Sequence, residues 1–527
     1  MNSTKPPFAG TVAATTRIQQ SLLTAATRTA RLWTQGPTAS SDDPRFADPS
    51  WNRPDLAFAR TSFGIWSDLV EDSADALAEI DPQLGLRSGF VARQVTDAMC
   101  PVNSPMLNPE VVRETARTRG RNLLRGAANA LGDLRRGRIS HVREDAFELG
   151  RDLAATPGDV VLRTDLAEII QYRPTTDSVS DRPILMIPPW INKYYILDLS
   201  QRNSMVRHLV DAGYTVFMIS WRNPSGRHRS MGWEDYMILG PLAAMDAIGD
   251  ITGAEHIHLV GYCLGGLMLQ TVLAHLADLR DRRPASATFF TTPQDFSDPG
   301  AVAPFLGPDG VALMELVMEA NGGFLDGRNM TATFNSVRGR DLIWPYVISN
   351  YWLGRDPKPV DFLYWNQDST RIPARVHSYL VRRIFREDLL TRPGRLQLLG
   401  SPMDLGRIDL PTFAVATEKD HVVPWQSAHR MGALLGGPVR FVLGESGHVA
   451  GVINPPEGGR RGYWTGDDAE RDPEAWMSSA THHSGSWWPE WLDWLEQFNE
   501  ADVDPPATGS RRHPALCDAP GTYVVER

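Results

Sequence analysis

The chain has 527 residues, of which 42% are apolar and 22% charged, an ordinary composition for a globular protein. Its 53 basic and 63 acidic residues give a net charge of −10. This argues against a nucleic-acid-binding protein, which needs a basic face for phosphates. Three cysteines, Cys100, Cys263 and Cys517, are too few and too scattered for a disulfide framework or a zinc site. These features favour a protein of a reducing cytosol.

Neither an export signal nor a membrane span is expected. The N-terminal sequence MNSTKPPFAG lacks the apolar core of a secretory signal. The most apolar long segment, residues 259–279, contains Gln270, His275 and Asp278, and a span of about 20 residues seldom carries three such polar groups. We therefore expect this segment to be a buried helix of a soluble domain.

The N-terminal third of the chain predicts two regions. Residues 1–52 are rich in Ala, Thr, Ser and Pro and predict a poorly ordered leader with one short amphipathic segment at 18–33. Residues 53–158 predict a mainly helical N-terminal domain, because apolar residues recur there at helical spacing. One of its helices is expected to run from Asn108, a good N-cap residue, to Gly137, a typical C-terminal residue.

From Val160 onwards, short apolar strands alternate with helices, a pattern typical of a mostly parallel sheet covered on both faces. We assign residues 159–501 to a catalytic domain of the α/β class. Within it, residues 297–409 are rich in aromatic residues, Pro and Asn. They are too long for a connecting loop, so they predict a cap inserted between two late strands. Residues 502–527 are expected to form a polar, Pro-rich C-terminal tail.

The sequence HIHLVGYCLGG contains the main catalytic signal. A predicted strand runs into the turn from Gly261 to Gly265, and a helix follows at once. This is the G-x-nucleophile-x-G elbow of the α/β-hydrolase fold, with Cys263 in place of the usual serine. The flanking glycines let the backbones pass closely, and the cysteine stands at the positive end of the helix, which favours a thiolate. A glycine-containing loop with a buried thiol is the less favoured interpretation.

Such an elbow predicts an acid and then a histidine further along the chain. Asp420 follows the predicted strand TFAVAT, and His448 follows the predicted strand RFVLG. Both lie at carboxyl ends of strands, the edge at which an open α/β sheet gathers its functional groups. Glu418 and His421 compete for these roles, and a lone aspartate after a strand is usually a turn or capping residue. We expect Cys263, Asp420 and His448 to act together.

These three side chains predict acyl transfer. The histidine would deprotonate the cysteine for attack on an acyl carbon, and the aspartate would orient the imidazole. The backbone N–H of Leu264 and that of Trp190 or Ile191 are the candidate oxyanion donors. A thiolate exchanges one thioester for another in a nearly balanced step, so a coenzyme A thioester fits better than a peptide or ester. If the acceptor is not water, the aromatic insertion suits the exclusion of water.

Several longer motifs carry a family resemblance. They are PPWINKYYILDL, FMISWRNP, WEDY, GYCLGG, DLIWPYV, FLYWNQD, EKDHVVPW, FVLGESGHVAGVINPP and HHSGSWWPEW, within residues 108–494. On these motifs the chain resembles the polyhydroxyalkanoate synthases, particularly the class I type that works without a second, different subunit. The resemblance implies an α/β-hydrolase fold with a cap insertion. It also implies polymerisation of (R)-3-hydroxyacyl-CoA into a polyester with release of coenzyme A.

The resemblance also implies residue roles and partners. Cys263 would be acylated, His448 would be the general base, and Asp420 would act through the histidine or on the substrate's 3-hydroxyl. Further implications are a homodimer, a cytoplasmic location at the surface of polyester granules, attachment through the helical N-terminal domain, and granule-associated proteins as partners. No metal is implied, and no cofactor besides the coenzyme A thioester substrate. The chain departs from the family at Trp190, where Cys is frequent, and at Ser484, an extra residue in HHSGSWWP.

Other interpretations stay open. A cysteine-elbow hydrolase (a thioesterase, a dienelactone-type hydrolase or a polyester depolymerase) shares the elbow and differs only in the nucleophile that reaches the acyl-enzyme. A granule-surface structural protein without chemistry is disfavoured by the intact Cys, Asp and His. Asp235 and the pair Trp487 and Trp488 also match family motifs, but helix capping and core packing explain them more simply.

Overall fold

The computed structural model describes residues 7–37, 42–296, 299–458 and 460–527. The chain divides into two units, and each unit joins stretches that are distant in sequence. The first unit comprises Met1–Arg143, Ala303–Gly307 and Thr331–Pro359. The second comprises Glu144–Val302, Pro308–Met330 and Val360–Arg527.

The first unit is built mainly from helices. Four of its five longer helices begin with proline. Proline has no backbone N–H, but the first residue of a helix does not need one, because that N–H has no acceptor within the helix. The longer helices are α1 (Pro7–Gln35), α2 (Pro54–Asp75), α3 (Pro82–Ala98), α4 (Pro109–Thr118) and α5 (Arg121–Arg136). Shorter helical turns are Pro44–Phe46, Pro49–Asn52, Ala76–Glu79, Pro101–Asn103, Gly339–Leu342, Trp344–Tyr346 and Val347–Trp352.

The segment expected to be a poorly ordered leader contains helix α1 in the structure. This helix extends well beyond the amphipathic segment predicted at 18–33. It buries Ala14 and Leu32, and it places the ring of Trp33 edge-on to that of Phe58 in α2, with centroids 5.1 Å apart. The helix depends on these contacts with α2, which composition alone does not indicate.

The helix expected from Asn108 to Gly137 is two helices. Asn108 does cap α4, since its side chain accepts hydrogen bonds from the N–H groups of the first turn. Helix α4 ends because Arg119 and Gly120 adopt the left-handed conformation, with φ of 54° and 81°. Helix α5 then ends at the left-handed Gly137, as the sequence predicted.

The second unit contains an eleven-stranded sheet. Its strands are β1 (Gly158–Arg163), β2 (Ala167–Tyr172), β3 (Ile184–Ile187), β4 (Val216–Trp221), β5 (Ile257–Tyr262), β6 (Pro284–Phe290), β7 (Thr412–Thr417), β8 (Val439–Gly444), β9 (Tyr463–Thr465), β10 (Thr481–His483) and β11 (Cys517–Asp518). The spatial order is β10-β9-β8-β7-β6-β5-β3-β4-β2-β1-β11. Strands β3 to β8 pair in parallel, and the strands outside them pair antiparallel. The central strands are almost entirely buried, as their continuous apolar runs predicted.

The remaining α-helices follow strands of the sheet or lie in the segment between β6 and β7. They are α6 (Met205–Asp211), α7 (Trp233–Met237), α8 (Ala243–Thr252), α9 (Leu264–Leu279), α10 (Pro308–Ala320), α11 (Gly327–Val337), α12 (Asp361–Gln367), α13 (Ala374–Tyr379), α14 (Trp425–His429), α15 (Met431–Leu434), α16 (Pro473–Ser479) and α17 (Trp488–Glu496). Helix α9 is buried along most of its length, as expected, but it begins at Leu264, and residues 259–262 of the expected helix belong to strand β5. Among the residues that the structure describes, no helix is long and apolar enough to cross a membrane.

The expected insertion lies between β6, which ends at Phe290, and β7, which begins at Thr412. It is not a single compact cap, because Ala303–Gly307 and Thr331–Pro359 belong to the first unit while the rest belongs to the second. The composition of this segment indicated an insertion, but it did not indicate that the insertion is divided between the two units. That division depends on which parts of the fold its apolar residues contact.

Residues 502–527, expected to be a polar tail, contribute to the sheet. Cys517–Asp518 form β11, which pairs antiparallel with β1. Tyr523 and Val524 are buried. The polar composition of this segment concealed a short strand and two anchoring side chains, which are too few to produce a sequence period.

Candidate active site

Cys263 stands on a strained turn between β5 and α9. Its φ of 53° and ψ of −119° are rare for a residue with a side chain, and such strain is typical of functional sites. Its N–H donates to the carbonyl of Phe290 in β6 at 2.9 Å. The thiol residue is 8% exposed and lies at the N-terminus of α9, as the elbow pattern predicted.

The turn is possible because three glycines surround the cysteine. A Cβ added at Gly261 would lie 2.5 Å from the Cα of Gly266. One added at Gly265 would lie 2.0 Å from the carbonyl oxygen of Ile187, and one at Gly266 would lie 1.9 Å from the hydroxyl of Thr292. All three distances are too short for any side chain. The sequence pattern requires only Gly261 and Gly265, and the structure adds Gly266.

Asp420 and His448 come together beyond the ends of β7 and β8. The Nδ1 atom of His448 and the Oδ2 atom of Asp420 are 2.6 Å apart. The other carboxylate oxygen accepts hydrogen bonds from the N–H groups of Val422 and Val423 at 2.8 and 2.9 Å. The histidine's partner is therefore Asp420 and not the competing Glu418.

His448 also contacts Cys263, which completes the predicted group of three. Burial alone lowers the pKa of the His448 imidazole. The negative charge of Asp420 and its hydrogen bond, together with the neighbouring Cys263 side chain, raise that pKa well above its ordinary value. The charge of Asp420 therefore favours the imidazolium form of His448 beside the Cys263 side chain.

Two features that the sequence analysis did not connect with the histidine hold it in place. The ring of Tyr262, within the elbow itself, stacks on the imidazole of His448 with centroids 5.7 Å apart. The indole N–H groups of Trp487 and Trp488 donate to the carbonyls of Gly451 and Val452, both at 2.9 Å, just beyond the histidine. Both tryptophan side chains are fully buried, so core packing accounts for their presence. Their hydrogen bonds also fix the loop that carries His448.

Asp235 is a helix-capping residue, as the simpler interpretation held. Its carboxylate accepts a hydrogen bond from the N–H of Gly232 at 2.6 Å, at the start of α7. This bond satisfies one of the N–H groups that the first turn of a helix leaves without a partner.

The candidate oxyanion donors belong to two adjacent segments. Leu264 is the first residue of α9, so its N–H has no acceptor within the helix. The loop after β3 passes beside this first turn, because Gly265 approaches the carbonyl of Ile187 and the backbone of Pro188. Trp190 and Ile191 follow in the same loop. Their donor role stays a prediction.

The titratable side chains do not suggest a metal centre. Within the part of the chain that the structure describes, no group of three or more His, Cys, Asp or Glu side chains could hold a metal ion. The groups that the structure brings to this site are a thiol, an imidazole, a carboxylate and backbone N–H groups.

The fold and the elbow define an α/β-hydrolase-fold protein, and a family model for that fold matches residues 183–455. A model described as the N-terminus of poly-beta-hydroxybutyrate polymerase matches residues 42–209. The chain is 40% identical over 494 residues to a poly(3-hydroxyalkanoate) polymerase subunit of Cupriavidus necator, covering 92% of this chain and 84% of that protein. It is 41% identical over 488 residues to a poly(3-hydroxyalkanoate) polymerase of Methylorubrum extorquens, covering 92% and 80%. The chain therefore belongs to the poly(3-hydroxyalkanoate) polymerase family.

This membership confirms three predictions: the family resemblance, the α/β-hydrolase fold class and an enzyme of the acyltransferase type. Among solved structures, the chain is similar to a monoacylglycerol lipase of Paleococcus ferrophilus. That similarity has a TM-score of 0.32 and 16% identity and covers 53% of this chain and 90% of the lipase.

Proposed function

We propose that the chain polymerises (R)-3-hydroxyacyl-CoA into a polyhydroxyalkanoate through a covalent acyl-cysteine at Cys263. The observation that carries the proposal is the strained elbow that presents this thiol to His448, itself 2.6 Å from Asp420. Membership of the polymerase family supports the substrate class. No cofactor is required besides the thioester substrate, because the thiolate and the imidazole supply the chemistry.

The first step acylates the enzyme. The Cys263 thiolate attacks the thioester carbonyl, and the oxyanion is stabilised by the N–H of Leu264 and a second N–H from the loop after β3. The bond to the coenzyme A sulfur then breaks, and the His448 imidazolium protonates the departing thiolate. One thioester replaces another, and free coenzyme A leaves.

The second step forms the ester. His448, now neutral, accepts the proton of a 3-hydroxyl group as that oxygen attacks the acyl-cysteine. The carbon–sulfur bond breaks, and the thiolate and imidazolium are restored. We expect the inserted segment between β6 and β7 to exclude water from this step. Water attacking at the same position would release a free hydroxy acid instead of forming the ester.

A cysteine-elbow hydrolase is the alternative, and one assay separates the two. With (R)-3-hydroxybutyryl-CoA, we expect release of coenzyme A together with turbidity from insoluble polymer. Free thiol and light scattering are followed in the same cuvette, and the products are separated into pelleted polymer and soluble acid. If all the released acyl groups appear as soluble 3-hydroxybutyrate, the polymerase proposal is wrong and the hydrolase takes its place.

We also propose that the protein is a cytoplasmic homodimer that works at the granule surface, alongside granule-associated proteins. Helix α5 supports the surface location. Its buried face contains Asn122, Gly126 and Asp133, and Gly126 is required because an added Cβ would lie 1.7 Å from the carbonyl oxygen of Tyr351. The rest of the helix faces outward and is available to a partner.

The outward side of α5 is both apolar and basic. Leu124 and Leu134 are 75% and 78% exposed, and Leu131 is about half exposed. Residues 119–138 contain six arginines and one aspartate, although the whole chain has a net charge of −10. An exposed leucine stripe among arginines is typical of a helix that lies on an anionic, apolar surface. We propose that the surface of the polyester granule is of this kind.

The double variant Leu124→Ser, Leu134→Ser should weaken binding to vesicles that contain anionic lipid. We expect a loss of about tenfold or more, because each leucine would bury roughly its full apolar area on the surface. Sedimentation with the vesicles measures the binding. The matched control is Leu279→Ser, Leu316→Ser, which removes two leucines elsewhere that are 61% and 67% exposed. Equal binding by the two variants would contradict the assignment of α5.

A further inference from the structure

The loop after β3 is held by a distant part of the chain. The N–H of Thr370 donates to the carbonyl of Ile191 at 3.0 Å, and its hydroxyl donates to the carbonyl of Trp190. The indole N–H of Trp365 donates to the carbonyl of Lys193 at 2.7 Å. These bonds fix the carbonyl groups of the loop. The candidate oxyanion donors, the backbone N–H groups of Trp190 and Ile191, lie on the same loop.

The side chain at the end of this loop is a buried ammonium. Lys193 is 2% exposed, and its Nζ donates to the carbonyl oxygens of Tyr523 and Glu526, each at 2.9 Å. Burial lowers the pKa of this lysine to about 8, while the charges of Asp368 and Glu526 act to raise it. A buried ammonium is unfavourable unless its N–H groups are satisfied, so these two carbonyls account for its presence.

The segment that supplies the carbonyls is itself anchored to the sheet. The N–H groups of Thr522 and Tyr523 donate to the carboxylate of Glu168 in β2, both at 2.8 Å, and Glu168 is fully buried. The guanidinium of Arg222 lies 3.7 Å from the ring centroid of Tyr523 and pairs with Glu526 at 3.1 Å. Residues 522–526 are therefore a fixed support.

We infer that Lys193 is a positioning residue: it ties residues 523–526 to the loop after β3 and so sets the second oxyanion donor beside Cys263. The inference rests on the proposed acyl-transfer function. The mechanical link is direct, because the same loop begins at Ile187, whose carbonyl contacts Gly265 in the first turn of α9. A loop that shifts away from this turn moves its N–H away from the developing oxyanion.

Lys193→Met removes the ammonium and keeps the length of the side chain. We expect kcat for coenzyme A release to fall about tenfold to a hundredfold, because losing one oxyanion donor costs about 10² to 10³. The KM should change less than about twofold, since ground-state binding is not affected. Alkylation of Cys263 by iodoacetamide, followed by mass spectrometry of its peptide, should keep its rate, because this displacement needs no oxyanion hole.

A second variant deletes residues 526–527, which removes one of the two carbonyl acceptors and also the Arg222–Glu526 ion pair, and leaves Lys193 itself unchanged. This variant should also lower kcat. Combining it with Lys193→Met should lower kcat no further than Lys193→Met alone, because both changes break the same link between Lys193 and residues 523–526. Lys358→Met, which removes an exposed lysine elsewhere, is the matched control and should leave kcat unchanged. Circular dichroism and the melting temperature identify any variant that has lost its fold.

Three outcomes would overturn the inference. Unchanged kcat in Lys193→Met means that the ammonium positions nothing. A parallel loss of the iodoacetamide rate places its effect on the thiolate or on the whole fold. Effects that multiply in the combined variant mean that the lysine and residues 526–527 act separately. Failure of the polymerase proposal looks different, because a wild-type enzyme that makes only soluble acid would still use an oxyanion hole and still respond to Lys193→Met.

Discussion

Replacing Cys263 by alanine should abolish coenzyme A release, with a loss of about 10⁴-fold or more, because no other group can form the acyl-enzyme. The fold should persist, since the elbow is shaped by the glycines around the cysteine and not by its sulfur. Release of free thiol from (R)-3-hydroxybutyryl-CoA measures activity. A melting temperature within about 3 °C of the wild type shows that the fold is retained.

The other two cysteines provide matched controls. Cys100 lies in an apolar cluster with Phe46, Trp51 and Phe63, and burial raises the pKa of its thiol. Burial also raises the pKa of Cys517, in β11. Neither thiol is poised as a thiolate, so Cys100→Ala and Cys517→Ala should keep activity within about twofold of the wild type. Turnover that survives in Cys263→Ala would move the nucleophile elsewhere and contradict the proposed mechanism.

The elbow could be predicted because its cause is local. Where a strand turns tightly into a helix, only glycine fits next to the nucleophile. The glycine pattern in the sequence therefore indicates the elbow directly. The chain order of nucleophile, acid and histidine adds a second constraint. Asp420 and His448 could thus be selected before their 2.6 Å contact was known.

Features that depend on contacts between distant residues could not be predicted in this way. Helix α1 requires the face of α2, and β11 requires the edge strand β1. Lys193 appeared only as part of a family motif, because nothing in the residues around it indicates that carbonyls some 330 positions later satisfy its ammonium. The stacking of Tyr262 on His448 likewise joins the end of β5 to the loop after β8.

Asp420→Asn should slow the first acylation of Cys263 itself, by about 10²- to 10⁴-fold. Both carboxylate oxygens are already engaged: Oδ2 with His448, and Oδ1 with the N–H groups of Val422 and Val423. The side chain is fully buried, so it is poorly placed to act on a substrate hydroxyl. The geometry therefore favours a role through the histidine, and this is the role that the variant tests.

The two roles predict different kinetics. A single turnover with (R)-3-hydroxybutyryl-CoA, quenched and analysed for the acylated Cys263 peptide, isolates the first step, and polymer yield reports elongation. If the aspartate worked only on the 3-hydroxyl, Asp420→Asn would acylate at the normal rate and fail to elongate. We expect slow acylation instead, and normal acylation would contradict the role through His448.

The pH dependence of Cys263 alkylation gives an independent check. In the wild type, the raised pKa of His448 keeps the imidazolium paired with the Asp420 carboxylate, and this pairing is lost as the pH rises through that pKa. The corresponding stability is fully present below about pH 6.5, the ordinary pKa of histidine, and disappears on the alkaline side. In Asp420→Asn the main charge that raises the pKa is gone, so the imidazolium should titrate at lower pH. Alkylation of Cys263 near neutral pH should then slow, because less imidazolium is present to stabilise the negative charge of the reacting sulfur.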